Sequence, residues 1–363
     1  MKKTLTLNLL VLLSLCFFVE FLSTFSEHFY GYGDPNKVFR LTRPEPYVNS
    51  IFFSKDFIEE SFSFSKHRID PVSGLLTPLD YNGKYFNVRN GRRLTIEPTA
   101  SFRNTIYLFG GSSVFCAEVP DEYTIASRLQ HEINHIGYPF RVLNYGVSGT
   151  TIEDSLLRLK HLTLKRGDVV VFIDGWNDLY KAIFKLSDIQ NFHPSRDIRE
   201  QFVRSVRRFK RFSALLQAID GELLTTSIPP FDDDEIAILI SKLNRIDREV
   251  EQLVTSAGAK YFHFLQPSLY AKVENSHYEL QITENPRGRY PSGLEVPVRY
   301  AWPFLRGSGV YDKSVDLTAA LESVRPSPFL DPVHINEVGN NIIAQEIFGE
   351  IIGEMVIETE GVH

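Results

Sequence analysis

Cysteine is scarce in this chain of 363 residues: there are two, Cys16 and Cys116. One lies in an amino-terminal apolar segment and the other beside a glycine-serine turn, so the sequence offers no disulfide framework. An excess of positive charge is missing too. Lys and Arg number 39 against 45 Asp and Glu, and the formal net charge of -6 argues against a general nucleic-acid binder. There is no internal repeat and no low-complexity stretch. The turn Gly110-Gly111-Ser112-Ser113 lacks the Lys of a P-loop and the third glycine of a dinucleotide fingerprint, which removes both nucleotide-binding readings. What remains is ordinary globular composition, 43% hydrophobic and 23% charged, in a length that suits one large α/β domain with additions or two modest ones.

A cleavage signal is also wanting at the amino terminus. Met1-Lys2-Lys3 precedes an apolar run from Leu5 to Val19 that resumes as Phe21, Leu22 and Phe25 after Glu20, with no A-x-A pattern. A lipoprotein site at Cys16 would want a small residue where Leu15 stands. The segment from Thr4 to Phe25 is about long enough to cross a hydrocarbon core of roughly 30 Å. Residues 1–26 therefore read as an uncleaved membrane anchor with Lys2 and Lys3 in the cytoplasm and the rest of the chain outside it. A cleaved signal of a secreted or periplasmic protein is the alternative.

Residues 27–103 are rich in aromatics and turn formers, and Pro35, Pro44, Pro46, Pro71 and Pro78 forbid long helices. They read as an irregular, strand-containing region that packs on the remainder of the chain or forms a small module of its own. From residue 104 strands and helices alternate. Strands are expected at Ile106 to Phe109, Phe140 to Asn144, Val169 to Asp174 and Lys260 to Leu265. Helices are expected at Tyr123 to Ile136, Ile152 to Lys165, Glu200 to Ala218, Asp234 to Ser256 and Val338 to Ile352. This alternation predicts a three-layer α/β/α domain over 104–355 with a central parallel sheet. The stretch 268–330, dense in Pro, Tyr and Trp, interrupts it and reads either as a lid-like insertion near the site or as a peripheral one.

Four loops carry the chemistry. The apolar run Ile106-Tyr107-Leu108-Phe109 ends in the turn holding Ser112. The second strand is followed by Asn144-Tyr145-Gly146-Val147-Ser148-Gly149, the third by Gly175-Trp176-Asn177-Asp178, and late in the chain comes Asp331-Pro332-Val333-His334. In a parallel sheet the loops that follow strands emerge on one edge, which would bring a serine, a glycine amide, a side-chain amide and an Asp/His pair together. Singly, each has a plain structural reading: Asp331 as a helix cap, His334 as a surface histidine, Asn177 and Asp178 as turn residues. Together they form the inventory that acyl transfer requires.

With those four blocks in order, residues 104 to 352 resemble the SGNH (GDSL-type) hydrolase family, whose fold is flavodoxin-like. The resemblance extends to Asn336, Gly339 and Asn340 beyond the last block. It departs in two places: the family's GDS is GGS here, and Cys116 replaces a glycine common four residues after the nucleophile. By this resemblance Ser112 is the nucleophile, His334 the general base and Asp331 its orienting carboxylate. The amides of Ser112 and Gly149 and the side chain of Asn177 form the oxyanion hole. The resemblance implies a serine esterase without metal or cofactor, acting on an ester-bearing small molecule or a glycan O-acetyl group. An O-acyltransferase of an extracytoplasmic polysaccharide, or a non-catalytic glycan-binding or assembly protein, are the alternatives. The oligomeric state is not legible.

Two other patterns compete for attention. His131-Glu132-Ile133-Asn134-His135 fits HExxH, but Arg141 stands where the extended zinc motif needs a third histidine, so a solvated helix face is the better reading. Arg204, Arg207, Arg208 and Arg211 share one face of the helix expected over 200–218, which reads as a solvated amphipathic face rather than a headgroup or glycan contact.

Overall fold

In a computed structural model of the protein, the residues described are 44–182 (without 65, 72 and 100), 233–284 and 314–360, together with Trp302 and Leu305. The expected anchor at 1–26 and the expected arginine-bearing helix at 200–218 lie outside them. Among the described residues no helix is long and apolar enough to cross a membrane.

The amino-terminal region holds helix α1 (Lys55–Phe64), an antiparallel pair β1 (His67–Ile69) and β2 (Leu76–Pro78), and a three-stranded antiparallel sheet of β3 (Tyr81–Asn82), β4 (Asn87–Arg89) and β5 (Arg92–Arg93). Asn90 and Gly91 join β4 to β5 with positive φ at both, 54° and 68°, the twist that a two-residue hairpin needs. The short strands match the sequence reading. The ten-residue α1 does not, because it fits between Pro46 and Pro71 where only irregular chain was expected. Glu60 of α1 accepts the amides of Lys84, Tyr85 and Phe86, which ties the helix to the small sheet.

The α/β unit runs β6 (Asn104–Gly110), α2 (Ser112–Phe115), α3 (Ile125–Ile136), β7 (Phe140–Asn144), α4 (Ile152–Leu159), β8 (Val169–Asp174), α5 (Asp233–Ser256), β9 (Lys260–Leu265), α6 (His277–Glu284), β10 (Val315–Asp316) and α7 (Glu337–Glu360). Chain between 176 and 182 is also helical. Local signals set several ends: Thr124 caps α3 through the Ser127 amide, Gly137 closes it at φ 70°, and Thr151 with Asp154 forms a capping box on α4. The five strands pair in the order β10-β9-β8-β6-β7, every pair parallel. This is the doubly wound 2-1-3-4-5 order of flavodoxin-like sheets. On the outer edge of β7, Gln130 accepts the Val142 amide, so α3 covers a backbone group that an edge strand would otherwise expose.

Strand alternation sends one set of side chains to each face, and all six residues of β8 are buried, as expected for a sheet covered on both sides. Ile106, Leu108, Val169, Val171 and Ile173 pack with Ile125 and Leu129 of α3 and Ile343 and Ile347 of α7. Phe109, Val170 and Phe172 pack with Ile152 and Leu156 of α4 and Leu243 and Val250 of α5. The first of these cores also holds Phe57, Phe64 and Phe86 from the amino-terminal region, with Phe64 stacked 5.6 Å from Phe115. The stretch 268–330 is more than an insertion, since it supplies the fifth strand, β10, beside β9. Two residues carry no periodicity, so that strand was invisible in the sequence. The reading of 268–330 as a lid falls partly on positions 285–301, 303–304 and 306–313, which lie outside the described residues.

Candidate active site

The chain leaves β6 on one side for β7 and returns on the other for β8, so a crevice opens at the carboxyl end of β6. Ser112 stands there as the first residue of α2. Gly110, at φ 154° against backbone, is sterically required, and Gly111 leaves room for the Asn177 side chain. A Cβ on Gly110 would lie 2.4 Å from the Ile173 carbonyl oxygen, and one on Gly111 would lie 2.3 Å from Asn177 Nδ2. Cys116 closes the turn in the left-handed region at φ 53° and donates its amide to the Ser112 carbonyl. A left-handed residue at this position explains why glycine is common there in the family the sequence resembles. The Cys116 thiol is buried, and burial pushes its pKa up to about 12.

His334 arrives from 222 residues away. Its loop is fixed locally: Asp331 Oδ1 accepts the amides of Val333 at 3.0 Å and His334 at 2.9 Å, and the Leu330 amide donates to the His334 carbonyl. His334 Nδ1 lies 2.7 Å from Asp331 Oδ2 and 2.9 Å from Oδ1, and Nε2 lies 2.8 Å from Ser112 Oγ. An ionised carboxylate can only accept, so Nδ1 donates to it and Nε2 is left to accept the serine hydroxyl. Asp331 and His334 are only 8% and 7% exposed, which strengthens these contacts relative to water.

The second and third blocks flank the serine. Val147 donates its amide and Thr150 its hydroxyl to the Gly110 carbonyl, stitching the loop after β7 to the Ser112 turn. Asn144 holds the same loop by accepting the Gly146 amide and donating to the Val114 carbonyl. Gly149 is exposed with φ 78°. Neither its amide nor that of Ser112 meets an acceptor among the described residues. Asn177 Nδ2 donates to the Thr150 carbonyl at 2.8 Å and lies over Gly111. All five residues singled out in the sequence, Ser112, Gly149, Asn177, Asp331 and His334, thus border one crevice. Asp178, the neighbour of Asn177, is buried and accepts the Ile152 amide at the start of α4. Burial raises its pKa to about 6, and the neighbouring Asp174 is raised well above the usual range, first by burial and then by the Asp178 charge.

The HExxH residues fall on α3, with His131 and His135 exposed and Glu132 accepting from Gln345 at 3.5 Å. Among the described residues no three His, Cys, Asp or Glu side chains are grouped as metal ligands.

Sequence reasoning missed three residues around the site. Gln266, just beyond β9, donates to the Ser113 hydroxyl at 3.1 Å. Arg93 is buried and donates to the carbonyls of Phe115, Cys116 and Val119 and to Asp121, clamping the chain that leaves the Ser112 turn. Glu118, on that clamped chain, places Oε1 3.9 Å from His334 Nε2. No local pattern marks any of the three, since each acts across a gap in sequence.

No family model matches the chain, and no curated protein does. Among solved structures it is similar to the acetyl xylan esterase AlAXEase, at 16% identity and a TM-score of 0.40 over 68% of this chain and 99% of that one. It is similar also to a lipolytic protein of the G-D-S-L family from Veillonella parvula, at 13% identity and 0.37 over 67% and 96%. The acetylxylan esterase Axe2 from Geobacillus stearothermophilus gives 13% identity and 0.37 over 69% and 95%. At these values the similarities carry no weight for activity, which must be read from the residues of the crevice.

Proposed function

We propose that this chain is a serine esterase that cleaves a small acyl ester, such as an O-acetyl group on a glycan, through an acyl-enzyme on Ser112. The observation that carries the reading is the unbroken series of hydrogen bonds from Ser112 Oγ through His334 to Asp331. A serine hydroxyl is a weak nucleophile at neutral pH, and removal of its proton by Nε2 during attack cures that. Asp331 holds the imidazole in the tautomer that can accept and stabilises the cation that forms. As Oγ bonds to the carbonyl carbon, negative charge gathers on the carbonyl oxygen, and the amides of Ser112 and Gly149 with Asn177 Nδ2 are the donors on hand to receive it. Collapse of the tetrahedral species breaks the bond to the alcohol, which leaves with the proton from Nε2.

Residues 1–26 anchor the protein, in this reading, so that the crevice works outside the cytoplasm on surface or secreted glycans. The test is turnover of p-nitrophenyl acetate by the full chain in detergent. Ser112→Ala should lose roughly 10,000-fold or more of the rate, and a chelator should leave the wild type unaffected. Retention of turnover by Ser112→Ala would remove the proposal.

A further inference from the structure

Glu118 belongs to no block of the sequence resemblance, yet its carboxylate faces the atom that must move protons. The side chain is 15% exposed and its Oε1 is 3.9 Å from His334 Nε2. The backbone beneath it is fixed, because Tyr47 donates its hydroxyl to the Glu118 carbonyl at 2.7 Å and Arg93 binds the carbonyls on either side. No described residue donates a hydrogen bond to the carboxylate itself. It is an acceptor held beside the Ser112–His334 pair, with no donor on its carboxylate among the described residues.

In the free protein Nε2 accepts the Ser112 hydroxyl. Once Ser112 is acylated that hydrogen is gone, and the lone pair of Nε2 faces the crevice. Two acceptors 3.9 Å apart can each lie about 2.8 Å from one oxygen atom placed between them. A water molecule has two hydrogens and satisfies both acceptors at once. An alcohol has one hydrogen, and a hydroxyl bound to Nε2 would turn a lone pair toward the carboxylate oxygen.

Given the acyl-enzyme reading above, we propose that Glu118 holds the water that cleaves the acyl-enzyme, and so sets the site to choose water over simple alcohols as the acyl acceptor. The water oxygen bonds to the acyl carbon while one of its protons passes to Nε2, and Glu118 keeps the second hydrogen bond without taking the proton. The bond from the acyl carbon to Ser112 Oγ then breaks, Nε2 returns the proton to Oγ, and the carboxylic acid leaves. The water that Glu118 holds takes part only in the second half-reaction, so the loss of that hold falls on deacylation and not on acylation.

The experiment is stopped-flow release of p-nitrophenol from p-nitrophenyl acetate by the full chain, with quenched samples read by mass spectrometry for acetyl on Ser112. Methanol is added as a competing acceptor. In Glu118→Ala the first turnover should keep the wild-type rate while steady release slows roughly 10-fold or more. Acetyl-Ser112 should accumulate, and the ratio of methyl acetate to acetate should rise. Glu118→Gln, whose amide oxygen still accepts, should recover most of the wild-type partition. Equal slowing of the first and later turnovers would overturn the proposal, since that marks a charge stabilising the imidazolium in both steps or a loosened loop. An unchanged partition ratio would overturn it as well. Absence of acetyl on Ser112 in every variant, with turnover persisting in Ser112→Ala, would instead bring down the esterase reading on which the proposal stands.

Discussion

The side-chain amide of Asn177 has two N–H bonds, of which the Thr150 carbonyl occupies one. The other is the donor proposed for the oxyanion, and the first fixes its direction. Asn177→Ala should therefore lower kcat by roughly 100- to 1,000-fold with little change in KM, read from steady-state kinetics on p-nitrophenyl acetate. Cys116 makes the opposite prediction of inertness. With its thiol buried and pushed to about 12, it should escape iodoacetamide at pH 8 in the native protein and react only after denaturation, as peptide mass spectrometry would show. Alkylation of the native protein at the rate of a free thiol would contradict the packing described. Asp178 links the site to stability. Its carboxyl keeps a proton up to about pH 6 in the fold but loses it near 3.9 when unfolded. Between those values the native state binds more protons, so stability falls as pH rises through that window. Thermal melts of Asp178→Asn, which retains an acceptor for the Ile152 amide, should gain on the wild type as the pH goes from 4 to 7.

At the scale of elements, the loop after the Ser112 turn owes its shape to Arg93. This side chain reaches across from β5, lies 5.0 Å and 4.9 Å from the rings of Phe64 and Phe86, and meets Asp121 at 2.6 Å. Truncation leaves three buried carbonyls without the guanidinium and Asp121 with only its Asn87 donors, so Arg93→Ala should cost about 3 kcal/mol or more in urea unfolding. It should also reduce kcat through the loosened loop. The elements that sequence made legible are those whose signal is local. β7, β8 and β9 were read with their observed bounds because apolar-rich runs of five or six residues between turn signals are too short for a helix and suit a buried strand. The glycines beside Ser112 and the short Asp331 to His334 spacing were legible for the same reason. α1 hid among prolines and aromatics, the two residues of β10 have no period, and Arg93 and Glu118 look like ordinary surface charges until distant chain folds against them. α4 ended at Leu159 rather than Lys165, because the apolar residues beyond it pack in a turn and not in a further helical turn.

Across the whole molecule, the amino-terminal region and the α/β unit share one core, with Phe57, Phe64 and Phe86 packed against Phe115 and Val119. A fragment beginning at residue 104 would expose that aromatic surface and lose the Arg93 clamp. It should show no cooperative thermal transition by near-ultraviolet circular dichroism, whereas a protein trimmed only to residue 44 should keep one. The separation of Ser112 from His334 has a consequence for the making of the protein. At about 5–20 residues per second, the 222 residues between them take roughly 10–45 s to translate. Throughout that interval the serine is already in the nascent chain while its hydrogen-bond partner His334 does not yet exist. If the crevice works as proposed above, the unfinished polypeptide is chemically mute toward esters, and its reactivity begins only when the last tenth of the chain has docked.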